Sequence, residues 1–450
     1  MDLRDKTVAV IGVGKTGLAT ARFLAGRGAR ILLTDVKPPA DWAESVTALG
    51  SVHAAPRVTP YGVEVLTDAD LVVPSPGVPP ANPILREALR REIPIVSELE
   101  LAFRFLATPL IAITGTNGKT TVTTLIGEIL TAAGKNVFVG GNIGAPLIGY
   151  VDGPQNANWA VVEVSSFQLQ WATTFRPRVA VLLNTAPDHL DYHGSFAAYR
   201  QAKEKIFACQ REGDMAVLNA DDASTAALGA RIAGRTELFS SSVPVERGIF
   251  IEGERLVRRP AAGGREEYPL GMIRLPGRHN IENVMAAIIA ARACDCPPEA
   301  IKTAVGRFRG IGHRIEYVEE RRGVRFYDDS KGTNVAAVVR ALESFSQPVV
   351  LLLGGRDKEG DFETLVPLLK QRVRAMVLFG EAAGKINQRI GGTVPTTRAA
   401  TLGEAVAAAA AIAVPGDAVL LSPGCASFDE FSGYKARGEF FQAAVRRLKQ

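Results

Sequence analysis

The sequence predicts the α/β fold class, arranged as three domains that are each a largely parallel sheet wrapped by crossover helices. Three observations predict this. The chain has 450 residues, which at roughly 150 residues per domain suggests about three. Short unbroken apolar runs alternate with helix-length segments, as in strand–helix–strand units. Two glycine-rich turns each join such a run to a helix. Hydrophobic residues are 47% and charged residues 22% of the chain, which excludes a largely disordered or collagen-like protein.

The first domain is expected over residues 1–97. Thr7-Val8-Ala9-Val10-Ile11 reads as a buried strand, then a glycine turn, then a helical pattern from Leu18 to Leu24. A second strand, Ile31 to Thr34, ends at Asp35. Leu71-Val72-Val73 runs into Ser75-Pro76-Gly77-Val78-Pro79-Pro80, which cannot be regular structure. Ile93 to Val96 reads as a last short strand. The second domain is expected over 98–309. It has strands at Leu110 to Ile113, Trp159 to Val164 and Arg178 to Leu183, and helices from about Thr120 to Ala133 and Asn280 to Ala293. Val245 to Leu270 mixes short apolar pairs with Gly and charge and reads as exposed hairpins. The third domain, 310–450, has strands at Val324 to Tyr327, Val349 to Leu353, Ala375 to Phe379 and Ala418 to Leu421, with a helix from Thr401 to Ala413.

The net charge is +5, from 52 Lys+Arg against 47 Asp+Glu. No block of like charges concentrates it, so a solvated mixed surface is the ordinary reading. The excess suits a small anionic substrate as well as nucleic acid. Four cysteines in so long a chain make no disulfide framework. The first residues lack a signal-peptide layout, and the best apolar run, Ala405 to Val414, is too short to span a membrane. A reducing cytoplasm is therefore expected.

The first turn, Gly12-Val13-Gly14-Lys15-Thr16-Gly17, is a complete GxGxxG. Asp35 ends the next strand, where a dinucleotide fold places its ribose-binding acid. Alone, this says NAD-dependent oxidoreductase. The motif reports a pyrophosphate over a helix N-terminus, which any nucleoside diphosphate offers, and a merely tight strand–helix turn stays open. The second turn, Gly115-Thr116-Asn117-Gly118-Lys119-Thr120, followed by Thr121, ends like a nucleoside-triphosphate loop. Backbone N–H groups cradle phosphate, Lys119 reaches the β/γ-phosphates and the Thr120 hydroxyl ligates Mg²⁺. Ile113 stands where the generic motif has its first glycine. Glu163, at a strand end before Ser165-Ser166-Phe167-Gln168, is a metal ligand or a loop carboxylate. His189, in the loop Asn184 to His193, is structural or a metal or phosphate contact. Lys203 is by default a solvated helix lysine.

These motifs, with Gly140-Gly141-Asn142-Ile143-Gly144, Glu163 to Leu169, His279-Asn280-Ile281-Glu282-Asn283, His313-Arg314, Asp328 to Asn334 and Ser422 to Asp429, resemble the Mur ligase family of peptidoglycan synthesis, in order along nearly the whole chain. Within it the resemblance is to the branch that adds D-glutamate. It implies a Rossmann-like UDP-binding domain, a central P-loop-type ATPase domain and a Rossmann-like C-terminal domain. The implied activity is ATP-dependent amide formation between D-glutamate and UDP-N-acetylmuramoyl-L-alanine, through an acyl phosphate and a tetrahedral intermediate. The implied cofactors are ATP, Mg²⁺ at two sites and a carbamylated lysine. No nucleic-acid or membrane partner and a monomeric chain are expected.

The resemblance also assigns residues. Lys119, His189 and Lys203 are catalytic. Gly115 to Thr121, Asn283, Arg314 and Asp329 hold ATP. Thr120, Glu163, His189 and the Lys203 carbamate hold metal. Gly14, Lys15, Thr16, Asp35, Ser75, Gly77, Asn142 and Gln168 hold the UDP-substrate. Lys331, Thr333, Lys358, Ser427 and Tyr434 hold D-glutamate, and Cys425 is a bystander whose alkylation blocks the site. Siblings that add L-alanine and the folylpolyglutamate synthases are the alternatives inside the family. The complete first domain with its UDP-type loop disfavours the folate relative. Three ligands on three domains imply closure of the third about Arg309-Gly310.

Overall fold

The structure, a computed structural model, describes residues 1–38, 42, 57–260, 263–275, 277–357 and 360–448. Its strands form three sheets, of four, nine and six strands. Two compact units emerge, Met1–Phe308 with the first two sheets and Arg309–Gln450 with the third.

In the first sheet Thr7–Ile11 lies between Arg30–Thr34 and Leu71–Pro74, all parallel. Arg57–Val58 pairs on the outer side of Arg30–Thr34, so the order is third, second, first, fourth and the chain reverses direction across the sheet beside the first strand. Ligands of open α/β sheets bind at such a switch point, beyond the strands' carboxyl ends. Ile11 is level with both Thr34 and Pro74, which brings Gly12, Asp35 and Ser75 to one edge. The expected strand at Ile93 to Val96 is only an isolated bridge from Val72 to Ile95.

The second sheet repeats the device. Leu110–Thr114 lies between Trp159–Glu163 and Val179–Leu182, with Ile113 level with Glu163 and Val181. The glycine turn, the Glu163 carboxylate and the loop toward His189 therefore emerge together. Leu110 to Thr114 is buried on both faces, as a central parallel strand must be. The segment expected to be exposed hairpins does form antiparallel hairpins, through Gly248–Glu252, Arg255–Arg259 and Glu266–Pro269, but they extend this sheet and are partly buried. One of its charges misled because it is paired inside. Arg258 forms a buried bidentate bond to Glu237 at 2.8 and 3.1 Å, and Leu256, Val257 and Tyr268 are core residues.

One apolar core runs across both sheets of the first unit. Phe23 and Leu24 of the helix Lys15–Ala25 pack with Leu99, Leu101 and Leu147. Phe23 meets Phe105 edge-on at 5.2 Å, under the Arg27 guanidinium. Beside this core Glu98 is 1% exposed. Its Oε1 accepts the Ile148 N–H at 2.8 Å, and the Gln168 side chain also bonds the carboxyl. Burial pushes its carboxyl up to about 6 from the ordinary 4.5. A carboxyl with a raised folded-state pKa stabilises fully below its unfolded pKa, and that contribution is lost as pH rises through the folded value. At about 1.4 kcal/mol per pH unit the loss is about 2 kcal/mol. Glu98→Gln is thus expected to gain stability over the unmutated chain as pH rises from 5 to 8, levelling off above 6. Urea denaturation across that range measures it, and a pH-independent difference contradicts it.

The third sheet carries Val324–Asp328, Ala418–Gly424 and Val349–Gly354 side by side and parallel. An antiparallel strand, Glu316–Arg321, closes one edge. Among the described residues no helix is long and apolar enough to cross a membrane.

Candidate active site

The first turn is shaped by sterics. Gly12 has φ +92°, and a Cβ there would lie 2.8 Å from Ser75 Oγ, so only glycine fits. Ser75 Oγ donates to the Gly12 carbonyl at 2.9 Å. Asp35 caps the turn, its Oδ2 accepting the Val13 N–H at 2.7 Å and its Oδ1 the Lys37 N–H at 2.9 Å. Gly14 precedes the helix without a side-chain cap, leaving its first N–H groups for an anion. Lys15 and Thr16 stand in that first turn, and Gly77 is exposed on the adjoining loop.

The second turn opens the helix Lys119–Ala132, again uncapped, from Gly118 at φ +85°. Gly118 packs against the Asn283 side chain, which places the helix Arg278–Arg292 against the loop. Asn184 braces the loop, accepting the Asn117 N–H at 2.9 Å on Oδ1 and the Thr116 N–H at 3.0 Å on its carbonyl. The Thr116 hydroxyl bonds Tyr199 at 2.9 Å. Lys119 Nζ donates to the carbonyls of Gly115 and Thr116 at 2.8 and 2.9 Å. Thr120 and Thr121 are buried in the same turn.

Lys203 overturns its default reading. It is 2% exposed and donates to the same Gly115 carbonyl at 2.9 Å, with Nζ 4.6 Å from the centre of the Tyr199 ring. Burial first, then the Lys119 ammonium, drives its pKa well below the ordinary lysine value, against Asp188 and Glu163. Two lysines thus meet at one carbonyl, and burial of the second favours its uncharged form relative to an exposed lysine. Tyr199 was missed in the sequence, although it lies one helical turn before Lys203 and so on its face.

Glu163 is buried, with Oε1 accepting from Asn142 Nδ2 at 2.8 Å and Oε2 without a partner. His189 sits at φ +52° with its side chain exposed, its ring 4.7 Å from that of Phe167. Gln168 is turned inward. It completes a capping box with Ser165 at the helix Ser166–Gln170, so its side chain orders the loop after Glu163.

The second unit has its own cluster. Asp329 is buried and accepts from Ser422 Oγ at 2.7 Å. Burial pushes its carboxyl up to about 7 despite Ser422 and the nearby Arg314. Lys331 lies 5.7 Å from the Tyr434 ring centre. Thr333 is half-buried, Ser427 is buried, and Lys358 lies outside the described residues. Arg437 was missed in the sequence. Fully buried, it donates to the carbonyls of Ser330, Cys425 and Ala426 and to Ser330 Oγ at 2.9 to 3.2 Å, tying the loop after one strand to the loop after another. The available signal was its place one turn before Phe441 and two before Val445, on the buried stripe of Tyr434–Arg447. Cys425 is buried and its thiol pushed up to about 12. A buried thiol held protonated reacts slowly with alkylating reagents, as fits a bystander.

Comparison with known proteins fits this geometry. The Mur ligase MurD-like N-terminal domain matches residues 6–97, the Mur ligase middle domain 113–291, and the glutamate ligase domain 313–425. A UDP-N-acetylmuramoylalanine–D-glutamate ligase of Syntrophus aciditrophicus (strain SB) is 57% identical over 447 residues, 99% of each chain. One of Koribacter versatilis (strain Ellin345) is 43% identical over 450 residues, 100% of this chain and 99% of the relative. Among solved structures, a UDP-N-acetylmuramate–alanine ligase of Thermotoga maritima shares the fold at 18% identity and a TM-score of 0.56, covering 98% of this chain and all of that one. With three domain matches in order and full-length relatives, the chain belongs to the Mur ligase family.

Proposed function

We propose that this chain is an ATP-dependent ligase that joins D-glutamate to UDP-N-acetylmuramoyl-L-alanine in the cytoplasmic synthesis of peptidoglycan precursors, releasing ADP and phosphate. The observation that carries the reading is the convergence of Lys119 and Lys203 on the Gly115 carbonyl, beside a buried carboxylate with one unpartnered oxygen. The full-length relatives named for this reaction support it.

A carboxylate is a poor acylating agent because its leaving group is oxide, and phosphorylation converts that group to phosphate. Negative charge crowds where the acid meets the triphosphate, so cations must face it. Lys119 supplies one. The free Oε2 of Glu163 and the Thr120 hydroxyl fit Mg²⁺, with His189 and a Lys203 carbamate completing two sites. A metal held by these residues would supply positive charge to the phosphate oxygens. As a neutral amine Lys203 would form its N–C bond to CO₂ and lose one proton to solvent, and the carbamate anion would face the Lys119 ammonium.

The three domains, 1–97, 98–309 and 310–450, divide the ligands. Gly14, Lys15, Thr16, Asp35, Ser75 and Gly77 hold the UDP end of the substrate, and Asn142 and the Gln168 loop flank its muramoyl-alanine arm. Gly115 to Thr121, Asn283, Arg314 and Asp329 hold ATP. Lys331, Thr333, Lys358, Ser427 and Tyr434 hold D-glutamate. The chain acts as a monomer. The test is phosphate release from ATP and Mg²⁺ with UDP-N-acetylmuramoyl-L-alanine, comparing D-glutamate, L-glutamate, L-alanine and diaminopimelate. Release is expected only with D-glutamate. Release with L-alanine instead, or NAD reduction without phosphate, contradicts the reading.

A further inference from the structure

The first glycine turn is tied to both loops of the metal side. Lys15 donates from Nζ to the carbonyl of Gly144. Two residues earlier in that loop, Asn142 donates its backbone N–H to the Glu163 carbonyl at 2.9 Å and its Nδ2 to Oε1 at 2.8 Å. On the other flank the Tyr192 hydroxyl donates to the Val78 carbonyl at 3.1 Å. The Val78 N–H donates to the Ser75 carbonyl at 3.0 Å, and Ser75 holds Gly12. The Tyr192 ring lies 4.1 Å from Phe167, which packs against His189.

An ammonium has three donors. Lys15 is exposed, so it can keep the Gly144 carbonyl while a second N–H meets an anion at the turn. An anion there restrains Lys15, and through it the loop that orients Glu163. The ordering cost falls on the first ligand, and the second finds its loop already fixed, which is positive coupling without a large movement.

We propose that Lys15 and Tyr192 couple the two anion sites, so that a diphosphate on the first turn tightens Mg²⁺–nucleotide binding on the second. This rests on the assignment of both turns given under the proposed function. By linkage the effect is reciprocal.

Calorimetric titration of the full chain with Mg²⁺–AMP-PNP, without and with saturating UDP, reads it. UDP is expected to tighten nucleotide binding by about fivefold, the lower end of ordinary allosteric coupling. In Lys15→Met, at a UDP concentration shown to saturate by direct titration, the factor is expected to fall to about one, and Lys15→Arg to restore it. Tyr192→Phe removes only the hydroxyl and is expected to lower the factor by at least half with UDP affinity kept within about twofold. It carries the test if Lys15→Met does not fold. Equal nucleotide affinity with and without UDP in the unmutated chain, or undiminished coupling in Lys15→Met, overturns the proposal. Failure to bind UDP or nucleotide at all overturns the site assignment itself.

Discussion

Lys119→Ala is expected to lower turnover on the order of 10³-fold, the loss found when one preorganised charge-stabilising group is removed from an active site. The reason is local. Lys119 opens its helix, and its ammonium stands over the carbonyls of Gly115 and Thr116, where the helix N-terminus also points. Nothing else described in that first turn carries a positive charge. The substitution also removes the second-largest influence holding down the Lys203 pKa. Lys203 is then expected to titrate higher, visible as an alkaline shift in its reaction with an amine-selective reagent. UDP binding, at the other glycine turn, is expected to stay within about threefold. Turnover near the unmutated rate contradicts the phosphate role of Lys119.

Arg437→Met is expected to destabilise the second unit by about 3 to 5 kcal/mol, because buried carbonyls lose a charged donor and find no replacement. The guanidinium is buried deeply enough that its pKa falls to about 10, yet it holds three carbonyls and a hydroxyl in one plane of donors. Arg437→Lys keeps the charge but not the fork, and is expected to recover less than half of the loss. Hydrogen exchange is the direct readout. Amides of 328–333 and 424–431 are expected to exchange faster, while those of 110–120 keep their protection. Unchanged protection in the first two segments contradicts the role assigned to Arg437.

How much of this was legible in the sequence depended on where polar groups were buried. Leu110 to Thr114, Val349 to Gly354 and Ala418 to Gly424 are buried at every position, so their sequences are unbroken and apolar apart from small polar residues, and they could be read as parallel strands. Arg235–Ser240 is also a strand of the nine-stranded sheet, but Arg235, Thr236 and Glu237 disguise it. Glu237 is buried only because Arg258 meets it from a strand two places away in that sheet, a pairing that sequence alone does not reveal. The glycine turns were legible because only glycine tolerates their backbone. The burial of Lys203 was not, since a lysine on an amphipathic helix normally faces water and its partner, the Gly115 carbonyl, lies 88 residues away. Arg437 was hidden in the same way.

In the proposed reaction ATP activates the carboxyl group of the UDP-linked substrate. The most direct measurement labels that carboxylate with ¹⁸O and analyses the phosphate released with D-glutamate by mass spectrometry. One ¹⁸O per phosphate is expected, carried across when the amine displaces the acyl phosphate. Phosphate free of the label, with amide still formed, would show that the acid is never phosphorylated and would contradict the roles given to Lys119, Glu163 and Lys203.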